Sequence, residues 1–197
     1  SSAASDVYKR QDEIQRQVEE IGVNARFIPV DEGISRINLK LQNIEGTEIN
    51  GQGPAISREK TQQLFEMLDQ LQEGDVLVLA GSIPASMPDD IYRNILKRLD
   101  GKGILIAVDA TGNLLVNVLE YHPFLVKPNN HELGEIFGVE LKDRESVIPY
   151  AKKMQEMGAT NVLVSMAGDG AVLVAEDGSV SVSYTHLRAH ETPEHLV

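Results

Sequence analysis

The chain has 197 residues, enough for one domain of moderate size, and 42% hydrophobic with 24% charged residues is the balance of a globular protein. A formal net charge of −12 argues against nucleic acid or an anionic membrane surface as a partner, while a local basic pocket could still take a small anion. The absence of cysteine excludes a disulfide framework and thiol chemistry, no apolar run approaches membrane-spanning length, and no signal-peptide pattern opens the chain, so a cytoplasmic enzyme is expected.

The two ends read differently from the rest. The codons GAT GTG TAT AAG AGA CAG of a transposase sequencing adapter translate to Asp6–Gln11. The reverse complement of the same DNA, in another frame, gives Val182–Leu187. Residues 1–11 and 182–197 are therefore expected to be non-native tails and are set aside from fold reasoning. His186, His190 and His195 fall in the second tail and are not taken as metal ligands.

From Asp12 to Ile21, Ile14, Val18 and Ile21 recur at helical spacing and Gly22 can close the helix; residues 12–22 read as the last turns of a truncated helix. Ala25–Val30 reads as a strand. Ser35–Gln42 alternates, with Ile37, Leu39 and Leu41 on one side and Arg36, Asn38 and Lys40 on the other, the pattern of a half-buried antiparallel strand. Thr47–Asn50 is a third extended piece, stopped by Gly51-Gln52-Gly53-Pro54. These strands precede any strand–helix alternation, so residues 23–54 are expected to form a small appended sheet. Taken alone, Arg36 and Asn38 lie on an ordinary solvated strand face.

From Ser57 the period changes. Leu64, Met67, Leu68 and Leu71 form a helical stripe that Ser57 can cap. Asp75–Ala80 is a continuous apolar run, expected to be a strand covered on both faces. It opens into Gly81-Ser82, where glycine permits close approach and the hydroxyl could hold a phosphate or sugar hydroxyl; a plain turn would look the same. Pro88 starts a helix with Ile91, Ile95, Leu96 and Leu99 inward. Ile104–Val108 is a strand ending at Asp109, whose carboxylate could serve as a base or metal ligand. Leu114–Leu119 and Val147–Met157 read as helices, and Asn161–Met166 and Ala171–Ala175 as strands. Residues 55–181 thus form an α/β core: a mostly parallel sheet with helices on both faces, right-handed crossovers and ligands beyond the strand C-terminal ends.

The organising stretch is Phe124–Leu133. Its apolar start is a buried strand that must end at Lys127, because Pro128 pushes the residue before it out of the helical region. A helix follows, with Asn129 or Asn130 as N-cap and Gly138 at its close. Such a junction aims backbone N–H groups at one spot and favours anions. Lys127 adds a positive charge, and Asn129 and Glu132 offer oxygens of the kind magnesium takes. Turn chemistry and the helix dipole would also explain these residues, and physics alone favours that plainer account. The small-residue run Ser165–Ala171 is similarly double: its N–H groups could cradle phosphates, or it could be a hairpin turn.

Lys-Pro-Asn-x-x-Glu-Leu after a strand resembles the magnesium and phosphate motif of the PfkB-type sugar kinases in the ribokinase superfamily. Ala80–Pro84 resembles that family's Ser-Gly-Ser-Leu-Pro loop. Ser165–Ala171 is similar to its Ser-x-Gly-x-x-Gly-Ala loop, with Ala167 where the pattern has its first glycine and Gly168 one place later. The resemblance covers nearly all of Asp12–Ser181 but only the middle of a family member: the early Gly-Gly-Lys-Gly loop and the later Gly-Ala-Gly-Asp motif, which carries the general base, are absent from this sequence. Asp109 is therefore not assigned as the base.

The resemblance implies a ribokinase-like fold with the appended sheet as a lid over the sugar, and ATP and Mg2+ as cofactors. In that scheme Arg36, Asn38, Gly81 and Ser82 hold a phosphosugar substrate. Lys127, Asn129, Ser165, Gly168 and Gly170 hold ATP, and Asn129 and Glu132 organise the metal. No catalytic base lies in this chain, so the chain alone is expected to be inactive, and lid strands could pair in a homodimer. Arg36–Leu41, Thr47–Pro54 and Lys127–Leu133 are most similar to members that phosphorylate fructose 1-phosphate, with tagatose-6-phosphate kinases close by. A dinucleotide-binding enzyme would need Gly-x-Gly-x-x-Gly after its first strand, which is absent. A non-catalytic sugar-binding module would not need Lys127, Asn129 and Glu132 together.

Overall fold

A computed structural model describes residues 14–30, 32, 38–40, 48–50, 53–81, 83–84 and 86–183, with 38–40 and 48–50 described through their backbone. They divide into two compact units, residues 1–71 with 83–89 and residues 72–82 with 90–197. The division follows Leu71, so the helix from Arg58, which the sequence places with the α/β core, clusters with the first unit.

In the first unit, helix α1 (residues 14–20) ends where Gly22 turns left-handed at φ 86°. Ala25–Val30, expected to be a strand, is not one: residues 23–30 have no regular structure. Extended propensity becomes a strand only when a neighbouring ladder accepts its hydrogen bonds, and among the described residues none pairs with this segment. Strands β1 (Asn38–Lys40) and β2 (Glu48–Asn50) do pair, antiparallel, with Leu39 opposite Ile49. The described part of the appended sheet therefore has two strands, not three. Helix α2 (Arg58–Leu68) begins at Ser57, whose hydroxyl accepts from the Lys60 amide at 3.3 Å. Ser86 Oγ accepts from the Ile56 amide at 3.0 Å and holds residues 83–89 to this unit.

The second unit is a six-stranded sheet in sequential order: β3 (Val76–Ala80), β4 (Leu105–Asp109), β5 (Leu125–Val126), β6 (Asn161–Ser165), β7 (Ala171–Val174) and β8 (Val180–Ser183). The first four strands are parallel and β6–β7–β8 are antiparallel. The crossovers carry α3 (Ile91–Leu99), α4 (Gly112–Val116), α5 (Asn130–Phe137) and α6 (Arg144–Glu156). All step the same way along the sheet, and right-handed crossovers that step one way stack their helices on one face. Burial agrees. Leu79, Ile106, Val108, Val126, Val162, Val164, Val172 and Val174 share register on one face and are buried. On the other face Val76 and Val78 are 63% and 62% exposed.

The expectation that β3 is covered on both faces therefore fails for its alternate residues. An apolar run reports β propensity, and valine suits an edge strand as well as a central one. The second helical layer expected from the alternation is not supplied by the described residues of this unit.

Ile91, Ile95, Leu96 and Leu99 of α3 are all buried, as their spacing requires. Helix α6 starts at Arg144, a turn earlier than the apolar stripe suggests. Asp143 makes a reciprocal cap there, accepting from the Ser146 amide at 2.7 Å while Ser146 Oγ accepts from the Asp143 amide. Strand β8 also runs past the expected tail boundary: Val182 pairs with Val172 and Ser183 with Ala171. Ladder bonds are made by backbone, and the Val-Ser-Val-Ser alternation satisfies a strand whatever its origin.

Candidate functional site

Four neighbouring strands end along one edge of the second unit, and the candidate residues gather there. In register, Ala80 lies opposite Asp109 and Val108 opposite Val126, so Gly81, Asp109 and Lys127 follow one another across the strand ends. The Lys127 amide donates to Val108 O at 2.9 Å, which extends the ladder by one residue. Its ammonium then reaches the Asp109 carboxylate, Nζ to Oδ2 at 3.0 Å, with both side chains about two-fifths exposed (39% and 42%). At that exposure the pair adds little stability, so its interest is where it sets the charges.

Pro128 breaks the strand and Asn129 starts α5 as its N-cap, which resolves the choice between Asn129 and Asn130. The cap is reciprocal. Asn129 Oδ1 accepts from the Glu132 amide, and Glu132 Oε2 accepts from the Asn129 amide, both at 2.8 Å. Asn130 instead donates to Leu141 O at 2.8 Å. Gly138 closes the helix at φ 68°. The junction is tied to the next strand as well: Asn129 bridges Ser165, and the Ser165 amide donates to Pro128 O at 3.0 Å.

Beyond Ser165, the chain turns through residues 166–170 into antiparallel β7, so this loop is a hairpin turn in form. The Met166 amide donates to Gly170 O at 2.8 Å. Gly170 adopts φ 88°, ψ −134°, a region open to glycine, and Ala167 sits left-handed at φ 47°. Gly168 has no positive φ. The position where the resembled pattern has glycine is thus one whose backbone favours glycine, although alanine occupies it here.

Lys127, Asn129, Glu132, Ser165, Gly168 and Gly170 therefore lie on two adjoining loops, with Gly81 two strands away along the same edge. Arg36 and Ser82 lie outside the described residues, and Asn38 is placed only through its backbone in β1. Among the described residues no group of three or more His, Asp or Glu side chains is arranged to hold a metal. The donor chemistry of Asn129 and Glu132 still fits magnesium, a hard cation that keeps most of its waters and takes one or two protein oxygens. The cap uses one of the two Glu132 carboxylate oxygens.

The chain matches the pfkB family carbohydrate kinases over residues 9–186. It belongs to that family. It is 48% identical over 145 residues to the 1-phosphofructokinase of Bacillus subtilis, covering 74% of this chain and 48% of that enzyme. It is 34% identical over 147 residues to a D-tagatose-1-phosphate kinase of Bacillus licheniformis, with 74% and 48% covered. A crystallised Staphylococcus aureus protein assigned to the phosphofructokinases superposes with a TM-score of 0.68 at 35% identity, over 82% of this chain and 52% of that one. The chain spans about half the length of the curated relatives it matches.

Three features of this pfkB-family edge were not read from the sequence. The Asp109–Lys127 pair joins residues 18 positions apart, and nothing in one sequence says that their strands are neighbours. Arg144, the first residue of α6, donates from Nε to Asp169 O at 2.8 Å and braces the β6–β7 turn from outside. Tyr92 is buried, and its hydroxyl donates to Gly81 O at 3.1 Å. Burial pushes the Tyr92 phenol above its ordinary pKa, and the Asp109 carboxylate adds to the shift. A signal for Tyr92 did exist: it lies on the inward stripe with Ile95, Leu96 and Leu99, and a buried phenol needs a partner.

Proposed function

We propose that this segment is the central part of an ATP-dependent kinase that converts fructose 1-phosphate to fructose 1,6-bisphosphate. The observation that carries the reading is the Lys-Pro-Asn junction seated beside Ser165 at the strand C-terminal edge, in a chain 48% identical to a 1-phosphofructokinase. Phosphoryl transfer needs chiefly positioning and charge neutralisation. Lys127 supplies the positive charge for phosphate oxygens, and leaves Asp109 to do so. Asn129, Ser165 and the turn containing Gly168 and Gly170 hold the nucleotide, with the N–H groups of the loop facing phosphate. Asn129 and Glu132 hold Mg2+ through oxygen, partly by way of water. A magnesium ion held there would offset the charge of the transferring phosphoryl group. Arg36, Asn38, Gly81 and Ser82 hold the phosphosugar, and the β1–β2 sheet acts as the lid and pairs in a homodimer. In this reading the enzyme works in the cytoplasm, as expected of a sugar-phosphate kinase. Among the described residues no helix is long and apolar enough to cross a membrane.

The second reading is a tagatose-phosphate kinase, favoured by the 34% identity to an enzyme named for D-tagatose 1-phosphate. Tagatose 6-phosphate belongs in the same comparison. A coupled assay on the full-length kinase carrying this segment decides between them. We expect the highest kcat/KM with fructose 1-phosphate, and a larger value for either tagatose phosphate overturns the first choice. The 197-residue chain by itself, which contains no Gly-Ala-Gly-Asp, is expected to show no turnover.

A further inference from the structure

The turn that leaves β3 begins at Gly81, whose backbone is left-handed at φ 94°. Its carbonyl is not left to solvent. The hydroxyl of Tyr92, the second residue of α3, donates to it at 3.1 Å. Tyr92 is itself fixed by burial along the α3 stripe, so the bond runs from a rigid helix to a turn. Gly81 directly follows Ala80, which lies opposite Asp109, and Asp109 is paired with Lys127. A continuous line of contacts thus runs along the strand ends from the β3 tip to the β5 tip.

We propose that Tyr92 is a positioning residue: by holding the Gly81 carbonyl, its hydroxyl sets the β3 tip, the sugar-side loop, beside the Asp109–Lys127 pair that leads to the nucleotide-side loop. This deepens the kinase reading above and rests on it for what the two loops hold. Burial and the nearby Asp109 charge both favour the protonated phenol, so the group stays a donor. Nothing in the phosphoryl-transfer scheme calls for a buried hydroxyl there, and a purely apolar core position would be served as well by phenylalanine.

The test is Tyr92→Phe, which keeps the ring and its packing and removes only the donor. Two measurements are made. In the 197-residue chain, amide hydrogen exchange at residues 79–81 is expected to quicken about fivefold while β6 and β7 are unchanged, the size a single neutral hydrogen bond gives. In the full-length kinase, KM for the phosphosugar is expected to rise about fivefold, with kcat and KM for ATP within about twofold. Unchanged exchange at residues 79–81 overturns the tie itself. Faster exchange with an unchanged phosphosugar KM, or with an equal rise in both KM values, overturns the positioning role. A parent kinase with no phosphosugar turnover sinks the proposed function instead, and the exchange result then decides alone whether the hydroxyl holds Gly81.

Discussion

The β5–α5 junction and the β6–β7 turn adjoin at one edge of the sheet, bridged by Asn129 and Ser165, yet they are held by different forces. At the junction, side chains do the holding: Asn129 and Glu132 satisfy each other's backbone amides, Asn130 ties to Leu141, and Lys127 leans on Asp109. In the turn the backbone does most of it, through Met166 to Gly170 and through two residues in left-handed or extreme conformations. The same polar residues at the junction are the ones a nucleotide and its metal would use, so structure and proposed chemistry compete for Asn129 and Glu132. In the turn they do not compete, because there the proposed ligands are backbone amides already fixed by the fold. A substitution can therefore be chosen that breaks one role and spares the other.

The largest effect is expected from Glu132→Gln in the full-length kinase. Glutamine at this position of a capping box can still accept from the Asn129 amide, so thermal stability should barely move. The negative charge is lost, and a metal organised partly through it should be held less well, with turnover falling roughly 10- to 100-fold and partly recovering as magnesium is raised. Unaltered turnover would leave Glu132 as a helix cap alone and would remove it from the proposed metal site. The next effect tests the turn. Gly170→Ala forces a Cβ into φ 88°, ψ −134°, and should cost about 1–3 kcal/mol in denaturant unfolding of the 197-residue chain. A smaller effect belongs to Asn129→Ala, which removes the cap acceptor from the Glu132 amide and should cost about 1 kcal/mol in the same measurement. If Asn129→Ala proved the costlier of the two, the contrast between a side-chain-held junction and a backbone-held turn would be inverted.

How much of this was legible without coordinates depended on whether the force was local. The stripe of α3, the Ser57 cap, the stop at Pro128 and the left-handed Gly138 are decided within a few residues, and each was readable from spacing and residue type, while the α5 cap was narrowed to Asn129 or Asn130. The misreadings share the opposite property. Ala25–Val30 looks like a strand, and Val182 and Ser183 were set aside with a tail, but strand formation is settled by a neighbour elsewhere in the chain. β3 is apolar along its length, and one of its faces is nonetheless exposed, because coverage depends on which way the crossovers step. Asp109 and Lys127 meet for the same reason: adjacency of β4 and β5 is a property of the sheet, not of either segment. The candidate site was legible as local structure where one loop carries it, in the strand stop and cap of Lys127–Glu132, and illegible where contacts cross strands, as with Tyr92 and Gly81.

The smallest expected effect is also the most specific to this chain. Ala167 is held at φ 47°, where an L-residue's Cβ crowds the following carbonyl at a cost of roughly 1–2 kcal/mol. Glycine would relieve that crowding but lose more freedom on folding, about 0.5–1 kcal/mol, so Ala167→Gly should stabilise the chain by only about 0.5 kcal/mol. The sign matters more than the size, because an ordinary loop alanine would lose stability on this change. A rise in denaturation midpoint with an unchanged slope would show that the turn carries strain at the residue where the resembled loop has glycine. A fall would mean that the Ala167 methyl packs well enough to outweigh its backbone. The turn would then lean on the Ala167 side chain as well as on its backbone and Arg144, and its contrast with the junction beside it would narrow.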